Sequence, residues 1–153
     1  MAWTHSTSTA LPCRLAPSPA LSGATLAVDA ERKQETFWRG IECFNRRQFF
    51  TCHELLEEIW LEEPEEEKPF YQGLIQVAAG FHHLVEKKNP RGAVSLISAG
   101  VEKLRRYPPL YHGLDLAGFL TALAPWLDRL ERQQPCDDLS LPTIKTAPST
   151  GVP

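Results

Sequence analysis

The sequence has no long hydrophobic run, no excess of positive charge and no paired-cysteine motif. Because a membrane-spanning helix needs about 18 or more consecutive apolar residues, none is predicted. The formal net charge of −3 gives no general attraction to nucleic acid or to an anionic membrane. The four cysteines form no CxxC pair, which favours a reducing compartment. We therefore expect a cytoplasmic protein, or a protein of the plastid stroma if residues 1–28 are a transit peptide.

Signatures of catalysis are also absent. No GxSxG motif marks a nucleophilic serine, and no ExxH pair marks a two-metal site in a helical bundle. His53 and Glu54 begin an HE motif, but Leu-Leu-Glu follows, so the second histidine of a zinc-binding HExxH helix is missing. The sequence therefore assigns no catalytic residue and favours a function without catalysis.

The two ends of the chain differ in composition from its middle. Residues 1–28 are rich in Ser, Thr, Ala and Pro, residues 135–153 are Pro-rich, and neither segment shows an amphipathic period. Such segments bury too little apolar surface to offset the entropy of ordering. We expect a disordered N-terminal segment over residues 1–28, a single domain over residues 29–134 and a disordered tail over residues 135–153.

Apolar residues recur at helical spacing between the two ends, and no strand pattern is present. The third predicted helix begins at Pro64 or Pro69, because proline suits the first turn of a helix. Asn89 and Asp115 suit the N-terminal caps of the fourth and fifth helices. The predicted fold class is all-α, a compact bundle of about five helices. These helices are predicted over residues 30–46, 49–62, 64–88, 90–107 and 115–130.

The second and third predicted helices carry the candidate functional side chains. His53 and Glu57 have the i, i+4 spacing that places both on one face of the second helix. Gln72, Gln76 and His83 form a polar stripe on the third helix. If the two helices pack as an antiparallel hairpin, these side chains approach one another within the bundle. The candidate cluster is His53, Glu54, Glu57, Gln72, Gln76 and His83.

Two interpretations of this cluster remain open. In the first, His53 is a buried histidine satisfied by Glu57 or by a backbone carbonyl, and the cluster fixes the packing of the helices. In the second, His53, Glu57 and His83 bind a divalent metal, and Glu54 is the base of a metal-dependent enzyme such as a hydrolase. We prefer the first interpretation, with no cofactor, because networks of charged groups are often structural.

Three segments carry a family resemblance. They read FNxxxFFxCHExLEExW over residues 44–60, QGLIQxAAxxHH over residues 72–83 and NPRGAxxLxxxGxxKL over residues 89–104. In this order they resemble the family called domain of unknown function 309, over about residues 37–107. The resemblance implies a small multihelical bundle and no established activity. The matching positions are the packing anchors Phe44, Asn45 and Trp60, together with His53, Glu54, Glu57, Gln72, Gln76 and His83.

Glycines interrupt the third and fourth predicted helices. Each glycine in a helix interior costs about 1 kcal/mol relative to alanine, which favours a close approach of two helices or a groove between them. A groove suits a module that binds a partner helix. Trp60 is expected to be largely buried between the second and third helices. The glycines are Gly73, Gly80, Gly92 and Gly100.

The stretch from Glu54 to Glu67 contains eight glutamates and no lysine or arginine. A solvated acidic face is the preferred interpretation, and attraction of a cation or a basic partner is the alternative. We expect an unknown protein or small-molecule partner, no nucleic acid and no membrane, and the sequence leaves a homo-oligomer open. The predicted function is therefore a non-enzymatic interaction or structural module, with the metal-dependent enzyme as the alternative.

Overall fold

The computed structural model describes residues 23–148 of the chain. This segment forms five α-helices and one short antiparallel hairpin, which confirms the predicted all-α fold class of about five helices. The hairpin was not predicted. The elements are α1 (Gly23–Asn45), α2 (Phe49–Glu62), α3 (Lys68–Val85), α4 (Pro90–Leu104), β1 (Leu110–Tyr111), β2 (Leu114–Asp115) and α5 (Leu116–Glu131).

Prolines and side-chain caps set the points at which the helices begin. Pro69 lies in the first turn of α3, so the later of the two predicted starts is correct. The Asn89 side chain accepts a hydrogen bond of 3.1 Å from the Gly92 amide at the start of α4. Asp115 accepts one of 3.0 Å from the Gly118 amide at the start of α5. Both caps satisfy backbone donors that the first turn of a helix leaves unpaired.

The helix α3 lies between α2 and α4, while α1 packs on α2 and α5 packs on α4. The rings of Phe44 and Phe119 meet edge to face, with centroids 5.4 Å apart, and Phe44 meets Phe81 in the same way at 6.1 Å. From Phe70 to Phe81 every residue of α3 is buried except Gln72 and Gln76. The central helix therefore exposes only these two amides along its middle.

Glycines of α3 and α4 allow a close contact between the backbones of these two helices. A Cβ atom on Gly100 would lie 2.6 Å from the carbonyl oxygen of Gly73, a distance that real Cβ atoms essentially never show. A Cβ atom on Gly73 would meet the carbonyl oxygen of Gly100 at 3.0 Å. Only glycine allows the two backbones to touch at this point. The close approach expected from the glycines is therefore present at this pair.

The C-terminal segment packs against the bundle as far as residue 148. Asn45 accepts a hydrogen bond of 2.7 Å from the Ile144 amide and donates one of 2.9 Å to the Ile144 carbonyl. The Trp126 indole donates a hydrogen bond of 3.1 Å to the carbonyl of Ser140. Ile144 is only 3% exposed. This corrects the prediction of a disordered tail for residues 135–148, because specific hydrogen bonds hold a segment that has no amphipathic period.

The N-terminal boundary also differs from the prediction. The helix α1 begins at Gly23, before the expected domain start at Asp29, so residues 23–28 are helical. The rest of the predicted disordered segment, residues 1–22, lies outside the described residues. Asn45 was considered a packing anchor, and its side-chain bonds to Ile144 give it that role.

Within residues 23–148, none of the helices combines the length and the apolar character that a membrane span needs.

Candidate functional site

A surface pocket lies where α2, α3 and α4 meet. It has a volume of about 230 Å³. Its walls combine apolar side chains with a carboxylate, two amides and a hydroxyl. We call it the α2–α3–α4 pocket. The lining residues are Glu57 and Trp60 of α2, Gln72, Ile75 and Gln76 of α3, and Ser95, Leu96 and Ala99 of α4.

The amides of Gln72 and Gln76 reach this pocket because they form the exposed stripe of the otherwise buried middle of α3. The two residues are one turn apart, so their side chains share one face. The Lys103 ammonium donates a hydrogen bond of 3.0 Å to the side-chain oxygen of Gln76. A cationic side chain of α4 therefore bonds to one of the two amides that line the pocket.

The indole of Trp60 forms part of the pocket wall. Trp60 is partly buried and packs against the core. The Lys68 ammonium lies 4.7 Å from the centre of the Trp60 ring, within the range of a cation–π contact.

His53 and Glu57 are close but do not form a short hydrogen bond. His53 Nε2 lies 3.8 Å from Glu57 Oε1, beyond ordinary hydrogen-bond range. The two side chains are 15% and 31% exposed. The pair is therefore partly exposed, whereas the structural interpretation placed His53 in the buried interior. It lies next to the α2–α3–α4 pocket, which Glu57 lines.

An exposed aromatic ring continues this surface beyond His53. The Phe50 side chain is 49% exposed, and its ring stacks on the His53 ring with centroids 5.4 Å apart. The His82 ring lies 5.2 Å from the Phe50 ring. Phe50 therefore contacts His53 of its own helix and His82 of α3.

His83 lies toward the start of α4. A Cβ atom built on Gly92 would lie 3.5 Å from His83 Nδ1. Burial lowers the pKa of His83, and the nearby His82 and Lys87 lower it further. Its neutral form is therefore favoured. Glu54, by contrast, is exposed on the outer face of α2.

The predicted cluster is thus brought together only in part. Glu57, Gln72 and Gln76 line one pocket, His53 lies one helical turn from Glu57, and His83 lies on the α4 side. Within residues 23–148, no three His, Cys, Asp or Glu side chains form a group that could hold a metal ion. The proposed ligand set of His53, Glu57 and His83 is therefore not assembled in the structure.

A second polar cluster, which the sequence did not predict, lies at the hairpin. The Glu67 carboxylate accepts a hydrogen bond of 2.8 Å from the Tyr111 hydroxyl, and its other oxygen lies 2.9 Å from His112 Nε2. Burial opposes ionisation of Glu67, but the bonds from His112 and Tyr111 outweigh it and lower the pKa. Burial and the contact with Glu67 raise the pKa of Tyr111 to about 12. This cluster holds the hairpin to the start of α3.

The sequence gives a signal for the turn of the hairpin but none for its polar cluster. Gly113 follows His112 in a tight turn, and both residues have positive φ angles, of 76° and 49°. A His-Gly pair after two prolines suggests a turn but no partner. Nothing in the local pattern links this turn to Glu67, which precedes it by more than forty residues. The cluster is therefore a product of tertiary packing.

These features define a five-helix domain with an open pocket on one side and a closed polar cluster at one end. Residues 37–96 match the model of the family described as Domain of unknown function (DUF309). The predicted family resemblance is confirmed over this segment, which contains every pocket-lining residue except Ala99.

Two relatives are similar to part of this chain. The Bacillus subtilis protein named Uncharacterized protein YpuF is 35% identical over 66 residues, which are 42% of this chain and 37% of that protein. An Aquifex aeolicus protein, also named Uncharacterized protein, is 30% identical over 86 residues, which are 56% of this chain and 26% of that protein. The matched part therefore spans well under half the length of either relative.

Proposed function

We propose that this domain is a non-enzymatic protein-interaction module that binds a partner through the α2–α3–α4 pocket. The observation that carries the proposal is the pocket itself. Its volume of about 230 Å³ is below the range of roughly 300–1,000 Å³ that is usual for drug-sized ligands. A space of this size suits one large side chain of a partner protein, inserted as an anchor.

The composition of the pocket also supports protein binding. Interfaces are enriched in aromatic side chains, and binding energy concentrates where such rings border a pocket. The half-buried Trp60 ring forms one wall, and the exposed Phe50 ring lies on the same helix. The polar groups of Glu57, Gln72 and Gln76 supply the few directional contacts that fix a bound side chain.

Other partners receive less support from this surface. The helix α2 contains four glutamates and no lysine or arginine, so it repels nucleic acid and anionic membranes. A small-molecule partner and a homo-oligomer are alternatives that binding experiments distinguish.

The proposal includes no metal cofactor. The supporting observation is that the predicted ligands His53, Glu57 and His83 are not grouped. Elemental analysis of the full chain, purified without an affinity tag, tests this. We expect less than about one tenth of an equivalent of zinc, manganese or iron, and a stoichiometric metal would favour the enzyme alternative.

We also propose a cytoplasmic location. In the described segment Cys43, Cys52 and Cys136 are free thiols, which agrees with a reducing compartment. The plastid alternative depends on residues 1–28, most of which lie outside the described part. Fractionation of cells that express the full chain distinguishes these compartments.

Selection from a displayed library of random 16-residue peptides tests the proposed binding site. Ser95 and Ser98 are exposed serines on α4, but only Ser95 lines the α2–α3–α4 pocket. Ser95→Tyr places a ring in the pocket, and Ser98→Tyr is the matched control. We expect the wild-type domain to enrich peptides whose affinity falls at least about tenfold with Ser95→Tyr and less than about twofold with Ser98→Tyr.

Two results would overturn the proposal. One is a library in which no peptide is enriched after selection on the folded domain. The other is a set of enriched peptides that bind both tyrosine variants with the affinity of the wild type. Circular dichroism and thermal unfolding of both variants establish that each remains folded.

A further inference from the structure

The outer face of α2 carries a regular stripe of exposed side chains. Phe50, Glu54, Glu57 and Leu61 follow one another at intervals of four, three and four residues, which places them on one face of the helix. Phe50 is 49% exposed and Leu61 is 64% exposed, among the most exposed large hydrophobic side chains of the described segment. The stripe therefore has an apolar residue at each end and two carboxylates between them.

This stripe adjoins the α2–α3–α4 pocket, because Glu57 belongs to both. Phe50 and Leu61 are separated by eleven positions, a rise of about 16 Å along α2. That length is about three turns of an α-helix. A partner helix lying along α2 can contact both apolar ends and place a further side chain in the pocket.

Hydrogen bonding favours a helical partner over an extended one. The three elements around the pocket are α-helices, whose backbone groups are paired internally, so no free sheet edge is offered to an added strand. The backbone N–H and C=O groups of an extended peptide would need hydrogen-bond partners among the side chains of the pocket. One of those side chains, Gln76, already accepts a hydrogen bond from Lys103. A helix satisfies its own backbone.

The negative charge of α2 determines which charge a partner must carry. The helix α2 holds Glu54, Glu57, Glu58 and Glu62 and has no lysine or arginine. A second copy of this chain would oppose like charge to like charge along the stripe, which disfavours a symmetric dimer through this face. Lysine or arginine side chains on a partner helix complement it.

Resting on the interaction function proposed above, we propose that the partner of this surface is a basic amphipathic helix. It packs along the stripe from Phe50 to Leu61, directs basic side chains at Glu54 and Glu57, and inserts one apolar side chain into the α2–α3–α4 pocket. The partner class is therefore a protein with an exposed helix that has leucine-rich and lysine-rich faces.

Three synthetic 18-residue peptides serve as probes, and fluorescence anisotropy measures their affinity for the full chain. The first carries leucines at helical spacing with lysines flanking them, the second replaces every lysine with glutamate, and the third is a scrambled lysine peptide without an amphipathic period. We expect the first to bind at least about tenfold more tightly than either control. Raising the salt concentration from 50 to 300 mM should weaken it, because exposed charges are screened.

Two pairs of glutamates on α2 provide the matched variants. Glu54→Gln with Glu57→Gln removes two charges from the stripe. Glu58→Gln with Glu62→Gln removes two charges from the side of α2 that faces α1, where both residues border a different pocket. We expect the first double variant to weaken binding of the lysine peptide by about tenfold and the second by less than about threefold.

The outcomes separate this inference from the proposed function. The library peptides can lose affinity with Ser95→Tyr and yet be neutral, acidic or extended. In that case the pocket binds protein, but the inference of a basic helical partner is wrong. Equal binding of the lysine and glutamate peptides, or equal effects of the two double variants, would also overturn the inference. A dimer in analytical ultracentrifugation that Leu61→Glu dissociates would assign the stripe to a second copy instead. If Ser95→Tyr has no effect on any peptide, the proposed function itself fails.

Discussion

The polar cluster at the hairpin and the polar cluster at the α2–α3–α4 pocket use similar residue types in opposite ways. At the hairpin, both oxygens of Glu67 have partners within 2.9 Å, Tyr111 and His112. At the pocket, Glu57 lies 3.8 Å from His53 and lines an open volume of about 230 Å³. The closed hairpin cluster fixes structure, whereas the residues that line the pocket border a space that a partner side chain can enter. Residue type alone therefore does not reveal which cluster is functional.

The largest expected effect lies beneath the hairpin cluster. Phe70 is fully buried, and its ring lies about 5 Å from the rings of Tyr111 and His112. We expect Phe70→Ala to lower the free energy of unfolding by about 3–5 kcal/mol, because it leaves a cavity in the core. Urea unfolding measures this loss. A loss below about 1 kcal/mol would show that the hairpin end is not a structural centre.

The next effect concerns the C-terminal segment. Asn45→Ala removes both hydrogen bonds to the backbone of Ile144 and leaves that buried backbone without its partner. We expect a loss of about 1–3 kcal/mol and faster hydrogen exchange at the Ile144 amide. Gln48→Ala, at an exposed position beyond the end of α1, is the control. Equal stability of the two variants would contradict this packing and would support the disordered tail that the sequence predicted for residues 135–148.

A smaller loss of stability is expected at the hairpin cluster, and this loss should depend on pH. Glu67→Gln should cost about 1–2 kcal/mol near pH 7, because charged hydrogen bonds to Tyr111 and His112 are weakened. The folded pKa of Glu67 is lower than its ordinary value of 4.5, so its charge stabilises the fold above that pH. This contribution is lost as the pH falls through the folded pKa.

Unfolding measured at several pH values tests this. The difference in stability between wild type and Glu67→Gln should be full near pH 6 and should shrink below about pH 4.5. Glu66→Gln, an exposed neighbour, is the control for a general change of charge. A difference that grows on acidification would contradict the sign of this account.

The smallest effect on stability is expected at the pocket. His53 and Glu57 are partly exposed and 3.8 Å apart, so Glu57→Gln should cost less than about 1 kcal/mol. A loss above about 2 kcal/mol, with strong coupling to His53→Ala in a double-mutant cycle, would restore the buried structural pair of the first interpretation.

The helices could be predicted from the sequence, but the hairpin and the C-terminal contacts could not. The pattern of α2 predicts both of its ends, Phe49 and Glu62, because its apolar arc is complete between them. The strands of the hairpin have two residues each, too few to show a period. The C-terminal segment is held by the amide of Asn45, a contact between residues 99 positions apart.

The candidate site was predictable on α2 and α3 but not on α4. Helical geometry places Gln72 and Gln76 on one stripe and relates it to Glu57 through the antiparallel pairing of α2 with α3. Ser95 and Ala99 complete the pocket from α4, and such small side chains give no chemical signal. The sequence places His83 in the same cluster, because it does not show that this end of the polar stripe on α3 faces the start of α4.

The tryptophans provide the most direct test of the central claim, that the pocket is the binding site. Trp60 lines the pocket, the Trp38 ring lies against Gly113 of the hairpin, and the Trp126 indole is bonded to Ser140. In ¹⁵N-labelled full-length protein, a peptide from the library selection is titrated while the indole N–H resonances are followed. The account predicts that the Trp60 resonance shifts in proportion to occupancy while those of Trp38 and Trp126 stay in place. A stationary Trp60 resonance with a moving Trp38 resonance would contradict it and assign binding to the hairpin end.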